Sequence, residues 1–462
     1  MPLIAPELAE RVLARALGSG GDLAEVYCED RAGFGLAIDE SRIERVQRGG
    51  ERGAGVRVVA GDTTYFAHVD GLAEADLERA ADAAAAALAS ERGEPQALEA
   101  GAPPELQEIA IDPTEVPAER KADLLRACDE RCRAAGAEIA QVMASYAEGR
   151  RRVLVANSDG LFATDDRTRV RLGVQVVARR DDRVETGFET LGGHRGFELV
   201  DRGAGEVIAD QAAAIALTLL GADPAPAGAM PVVVGGGFGG VLFHEMTGHG
   251  LEADHVQKGA SVYAGKLGER VAGEHLTAYD DGTLPGEWGT DAIDDEGAPT
   301  QRTAVIEGGE LTSLLYDLLR ARKAGVTSTG NGRRESFRHL PIPRMTNTFI
   351  APGQASPEEL IGSVERGFYA KSFAGGQVDP TTGDFVFGVS EGYLIEGGRV
   401  GRACRDATLI GNSLDALGRI DAVADDFDMK TGFCGKAGQR VPVGTGQGHV
   451  LIGELTVGGT AV

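Results

Sequence analysis

The chain has 462 residues, enough for two or three domains and for a large core that needs no disulfide staples. Its 46 Lys and Arg stand against 71 Asp and Glu, a net charge of -25, which repels phosphate backbones and argues against a nucleic-acid partner. Five scattered cysteines read as reduced thiols, and no apolar run is long enough to span a bilayer; together they point to a cytoplasmic chain with no membrane association.

The N-terminus, PLIAPELAERVLARAL, carries Glu7, Glu10 and Arg11 where a signal peptide would be apolar, and it reads as an amphipathic helix over 5–18. AEVYCE and GFGLAI follow as strands. GVRVVAGDTTYFAHV reads as a hairpin turning at Gly61-Asp62. An Ala-rich helix is expected over 71–90, then a proline-rich connection over 91–118. The order then recurs: helix 117–135, strands IAQVMASYA, RRVLVA, GLFATDD and RVRLGVQVVARR, a turn at Asn157-Ser158-Asp159-Gly160, and helix 205–220. The recurrence is weak, and no duplication is inferred from it. GADPAPAGAMP at 221–231 reads as a linker, and APGQASPEE at 351–359 as a softer break.

Beyond the linker the chain is richer in strands. MPVVVGG is a β-branched run ending in glycines. TAVIEGGELTSLLYD and GYLIEGGRVG read as hairpins at Gly-Gly, and HVLIGELTVGG as the last strand. Helices are expected after the glycines, over 356–368 behind a Ser356/Glu359 capping box, and near 413–419. The fold class is therefore α+β. An N-terminal mixed helix/strand domain spans 1–222, with subregions 1–95 and 117–222. A strand-rich C-terminal domain spans 223–462 and carries a metal-binding helix.

The segment GGGFGGVLFHEMTGHGLEAD, residues 235–254, contains two competing signals. Gly235, Gly237 and Gly240 have G-x-G-x-x-G spacing behind a strand, as in a dinucleotide loop. A Rossmann unit also needs a second parallel strand ending in an acid about 20 residues on. Residues 252–275 are polar and glycine-broken, so an NAD-linked oxidoreductase is set aside, and the glycines read as allowing close helix–strand packing. His244, Glu245 and His249 read H-E-x-x-x-H: two imidazoles for a metal and a carboxylate for its water. On a regular helix, i and i+5 differ by about 140° around the axis, so the two rings cannot share an ion. A π-bulge, or unwinding at Gly248, would turn His249 back. The apolar neighbours Val241, Leu242, Phe243 and Met246 make a bare His-Glu pair costly there.

A third ligand is needed. Glu252, Asp254 and His255 are near in sequence. Cys434, flanked by Gly432 and Gly435, is the remote alternative. Residue chemistry alone leaves Cys434 and Glu252 unseparated. Cys128 and Cys132, at i, i+4 on a helix, read as packing residues, Cys28 as a strand residue and Cys404 as a strand-end residue. Arg333, Arg334, Arg338, His339 and Arg344 form a basic island. It reads first as salt bridges to the surplus acids; alternatively Arg334 and Arg338 hold a peptide carboxylate, with Asn347 offering contacts to an extended peptide.

These segments, with SVYAGKLGE (261–269), DDGTLPGEWGTDAIDDEGAPTQRTAVIEGGELTSLLYD (280–317), STGNGRRESFRHLPIPRMTNTFI (328–350), FVFGVSEGYLIEGGRV (385–400), TGFCGKAGQRVPVGTGQ (431–447) and GAGVRVVAGDTTYFAHVDGL (53–72), resemble the TldD/PmbA proteins, and among them the metal-bearing TldD type. The resemblance covers most of the chain. It implies a zinc metallopeptidase with one Zn²⁺ per chain, held by His244, His249 and Cys434, and with Glu245 as catalytic base. It also implies unfolded or small peptides, including modified peptide precursors, as substrates. The implied assembly is a homodimer or a heterodimer with a TldE/PmbA-type subunit. The competing expectation is a non-catalytic structural partner in such a complex.

Overall fold

A computed structural model describes residues 2–86, 88 and 95–460. The first part builds one sheet from two similar antiparallel units, with the short strand Glu99–Ala100 added in parallel at Leu161–Phe162. Helix Pro6–Ala16, strands Leu23–Asp39, Arg42–Ala60 and Thr63–Asp70, and helix Glu74–Ala85 form the first. Helix Ala118–Ala134, strands Ile139–Asn157, Leu161–Arg180 and Arg183–Gly193, and helix Ala204–Leu220 form the second. The units join where Leu23–Asp39 pairs antiparallel with Ile139–Asn157, from Glu25 opposite Asn157 to Asp39 opposite Met143. The recurrent order in the sequence is thus a real repeat of architecture about that central pair. The end of the expected Ala-rich helix and the first residues of the proline-rich connection lie outside the described residues.

The strands are longer than their apolar runs. AEVYCE and GFGLAI belong to one strand of 17 residues, and IAQVMASYA and RRVLVA to one of 19. The reason is that the helices cover only the two ends of the sheet. At one end Ala24, Val26, Val56, Val58, Leu154 and Ala156 pack beneath Val12, Leu13 and Leu77. At the other, Leu36, Val142, Val174 and Val176 pack beneath Leu125, Cys128 and Ala212. Between these cores the ladder continues through polar residues joined by cross-strand ion pairs, Arg152 to Asp30 at 2.6 Å and Arg150 to Asp166 at 2.6 Å. The strand Arg183–Gly193 carries no clean alternation and was not anticipated.

The second part holds two large sheets around one large core, with a two-stranded ribbon, Gly332–Arg333 and Ile342–Pro343, beside them. A six-stranded sheet has the order Glu310–Leu311, Arg302–Glu307, Ala278–Asp281, Asn347–Ile350, Gln439–Gln447 and Asp428–Lys436. In the other sheet, Arg366–Val378, Gly228–Val234, Val450–Gly458, Ala407–Asn412 and Asp384–Glu396 close into a ring, because the first and last of these also pair. Both Gly-Gly hairpins form. The Ser356/Glu359 capping box is made, but its helix is only Pro357–Gly362 before the next strand begins at Arg366. No helix among the described residues is long and apolar enough to cross a membrane.

The two parts meet through buried ion pairs. Arg334, fully buried, donates to Glu25 at 2.6 Å and to the Asp295 carbonyl at 2.8 Å. Arg57 bridges Glu25 and Glu296 at 2.7 and 2.5 Å. Arg167 reaches Asp295 at 2.7 Å and Asp291 at 3.1 Å. Removing one partner of such a buried pair leaves the other charge without compensation. Arg334→Leu is therefore expected to cost about 3–5 kcal/mol, seen as a lower thermal midpoint; a wild-type midpoint would refute this role for the pair.

Candidate metal centre

The strand Gly228–Val234 runs into a glycine turn and then into the helical segment that carries the H-E-x-x-x-H motif. Gly237 has φ +64°, which glycine adopts without strain. A Cβ on Gly240 would lie 2.6 Å from the Gly446 backbone nitrogen, so only glycine lets this segment lie against the strand Gln439–Gln447. These glycines serve packing. The next strand, Ala278–Asp281, belongs to the six-stranded sheet and runs antiparallel to its neighbours, so the dinucleotide unit is not built.

After one α turn, Gly240–Phe243, the helix widens into a π turn over His244–Gly248 and then tightens into a 3₁₀ turn, His249–Leu251. This is the distortion that the i, i+5 spacing required. It brings the two imidazoles to 5.4 Å between ring centroids at 82°. The turn is braced from outside: the ring of Tyr263 packs on Gly250, where a Cβ would lie 2.5 Å from Cδ2, and its hydroxyl donates to the Met246 carbonyl at 3.1 Å.

Cys434 arrives from Asp428–Lys436, the last strand of the six-stranded sheet. Its Sγ lies 3.3 Å from His249 Nε2, and the ligand atoms of His244, His249 and Cys434 are all within 4.8 Å of one another, all three residues buried. Burial alone would push the Cys434 thiol up; the two imidazoles outweigh it and hold it well below its ordinary value. Glu245 lies at the edge of this group, Oε2 3.8 Å from His249 Nε2. Burial raises its carboxyl, partly opposed by the same imidazoles.

Glu252 has a different place from the three. Its Oε2 accepts from His249 Nδ1 at 3.1 Å and from Lys436 Nζ at 3.0 Å. Burial opposes ionisation, but His249, Lys436 and Arg344 together bring it down to about 2. Burial opposes protonation of His249, but Glu252 and Cys434 outweigh it and hold the imidazole well above its ordinary value. With Glu252 accepting at Nδ1, Nε2 is the nitrogen left to lose its proton to a metal. Asp254 is taken by Lys436 at 2.6 Å. Glu252, Asp254 and His255 also cluster, with the Lys436 ammonium against two of their carboxylates. Arg344, fully buried, donates to the Cys434 carbonyl at 2.6 Å and fixes the strand backbone. Sequence reasoning weighed Glu252 only as a ligand and missed the orienting pair. Lys436 was legible: it stands two residues from Cys434, on the same strand face.

The residues expected to touch peptide have the following partners. Arg334 is locked to Glu25. Arg338 pairs with Glu51 at 3.1 Å and Asp70 at 2.7 Å. Asn347, buried, accepts from the Gly289 N–H at 2.9 Å and donates to the Asp281 carbonyl at 2.7 Å. The basic island is spent on ion pairs and backbone carbonyls.

Comparison with known proteins gives this arrangement a context. Family models described as PmbA/TldA metallopeptidase domain 1, central domain and C-terminal domain match residues 24–88, 111–220 and 227–459. A Haemophilus influenzae protein named metalloprotease TldD homolog is 42% identical over 95% of this chain and 93% of its own length. The chain belongs to the PmbA/TldD metallopeptidase family. A Methanothermobacter thermautotrophicus metalloprotease is 34% identical over 94% of this chain and 96% of its own. A Saccharolobus solfataricus protein named zinc metalloprotease TldD homolog is 33% identical over 62% of this chain and 64% of its own. The crystal structure of TldE from Thermococcus kodakarensis shares the fold, with a TM-score of 0.79 at 20% identity, covering 98% of this chain and 100% of that one.

Gly240 tests how the centre is set. Backbone cannot yield as a flexible side chain can, so Gly240→Ala is expected to push the helical segment off its strand and lower the thermal midpoint. Gly259→Ala, in open space with φ +68°, should cost only about 1 kcal/mol. Equal losses in the two variants would refute the packing role.

Proposed function

We propose that this chain is a zinc-dependent peptidase that hydrolyses unfolded or small peptides, modified peptide precursors among them. The observation that carries this reading is the convergence of two imidazole nitrogens and a buried, acidified thiol, with a carboxylate beside them. The donor set fits zinc: nitrogen and thiolate sulfur are its usual ligands, and three protein ligands leave a position open. His244, His249 and Cys434 would hold the ion. A bound zinc supplies polarisation of the scissile carbonyl and a water acidic enough to be deprotonated near neutral pH.

The chain's own residues do the rest. Glu245 accepts the proton of the attacking water and passes it to the leaving amine. Glu252 holds His249 in one tautomer and orientation. Arg344 and Lys436 keep Glu252 ionised, and Arg344 steadies the Cys434 backbone. Burial excludes bulk water, which strengthens each of these interactions. The shared fold with TldE supports assembly with a second subunit of this type, either another copy or a TldE-type partner.

Three variants separate the roles. Glu245→Gln should retain zinc and lose cleavage of an unfolded peptide; near-normal turnover would eliminate Glu245 as base. Cys434→Ser should lose most bound zinc by plasma mass spectrometry, and unchanged content would shift the third ligand to another group. Glu252→Gln should weaken zinc binding by about 10–100-fold in competition with a chelator, an effect absent if Glu252 does not orient His249.

A further inference from the structure

Behind the strand that carries Cys434 lies a second group of unusual side chains. Phe433 points to the opposite face from Cys434 and is 45% exposed. Two guanidiniums lie against its ring, Arg171 Cζ at 5.7 Å and Arg440 Cζ at 4.8 Å from the centroid. Arg171 comes from the first part of the chain and Arg440 from the strand beside Cys434, so both parts build the group. Trp288 closes it, edge-on to Phe433 at 5.6 Å. The walls converge on Gly192, where a Cβ would lie 3.2 Å from Thr431 Cγ2, 3.3 Å from Arg171 Cγ and 3.3 Å from Trp288 Cε3.

The charges here lack counterions. In a chain with 25 surplus negative charges, neither side chain has a carboxylate within ion-pair distance among the described residues. Glu335 accepts only from the Arg440 backbone N–H, at 2.8 Å. Burial, and then Arg440 facing it, lower the Arg171 guanidinium from its ordinary value. Three buried polar atoms make no hydrogen bond among the described residues: Arg171 Nε, Thr431 Oγ1 and Trp288 Nε1, with Thr431 7% and Trp288 5% exposed. Buried donors left unmade are costly, and two like charges sharing one ring repel. An anion between them would relieve both.

We propose that Arg171 and Arg440 form a receptor for a carboxylate of the bound peptide, with Phe433 as its apolar floor and Thr431 and Trp288 as further donors. The proposal rests on the peptidase reading for the identity of the ligand. Asp428–Lys436 is the last strand of its sheet and carries Cys434 on one face and Phe433 on the other, so one extended peptide reaching the centre would have the receptor on the far face of the same strand. The carboxylate is either the peptide's C-terminus or an acidic side chain. Guanidinium is the group suited to either, through paired charge-assisted hydrogen bonds.

Trp288 is the only tryptophan in the chain, so its fluorescence reports on this receptor directly. The test uses zinc-loaded protein carrying Glu245→Gln, titrated with a short alanine peptide as the free acid, as the C-terminal amide, and as the amide carrying one Glu. A saturable change is expected with the free acid, and about tenfold weaker binding with the plain amide. Binding of the Glu-bearing amide as tight as the acid would make a side-chain carboxylate sufficient; binding of the acid alone would assign the terminus. Arg171→Gln and the exposed Arg440→Gln should each remove the preference for carboxylate. Equal titrations with acid and plain amide, alongside cleavage by protein with Glu245 intact, would overturn the receptor and leave the peptidase reading standing. A carboxylate-dependent titration in protein that cleaves no peptide would overturn the peptidase reading and leave the receptor.

Discussion

The imidazole of His249 is gripped from both sides, by the Cys434 sulfur at Nε2 and by the Glu252 carboxylate at Nδ1. Much of the surrounding architecture follows from that grip. The ring reaches this position only because the helix widens by one residue over His244–Gly248. The widened turn survives because glycines let it lie on the backbone of a strand and under a tyrosine ring. The carboxylate stays ionised in a fully buried site because His249, Lys436 and Arg344 face it. Each of these contacts comes from a different stretch of chain, so the centre exists only in the completed fold.

The same logic operates at the seam between the two parts. A buried charged network is a poor source of net stability, since desolvation consumes most of the Coulombic gain. It is geometrically demanding, however. Glu25, Arg57, Arg167, Asp291, Asp295, Glu296 and Arg334 pair with one another across the seam between the N-terminal sheet and the C-terminal core. That arrangement aligns the long sheet with the strand carrying Cys434, and Arg171 and Gly192 stand at the junction.

Legibility in the sequence followed the physics that local patterns carry. The turn at Gly61-Asp62, the Gly-Gly hairpins, the Ser356 cap and the helices over 6–16, 118–134 and 204–220 were readable because each is fixed by neighbouring residues. The i, i+5 spacing of His244 and His249 demanded a helical distortion, and Gly248 marked where it could sit. Long strands were read as fragments, since their polar middles are held by cross-strand ion pairs that no single segment encodes. Lys436 shares a strand face with Cys434, but its pairing with Glu252 joins residues about 180 positions apart, and no local pattern ties it to the contact between His249 and Glu252, three residues on. Arg334 lies in the ion pairs that the first reading of the basic island expects, while the backbone partners of Asn347 are remote in sequence and unmarked by any local pattern.

The central claim is that one sulfur and two imidazoles converge on a single ion. Zinc-edge X-ray absorption on the metal-loaded protein tests it most directly. The expected spectrum has one sulfur scatterer at about 2.3 Å and nitrogen or oxygen scatterers at about 2.0–2.1 Å, with imidazole features beyond them. A spectrum with no sulfur at bonding distance would contradict it.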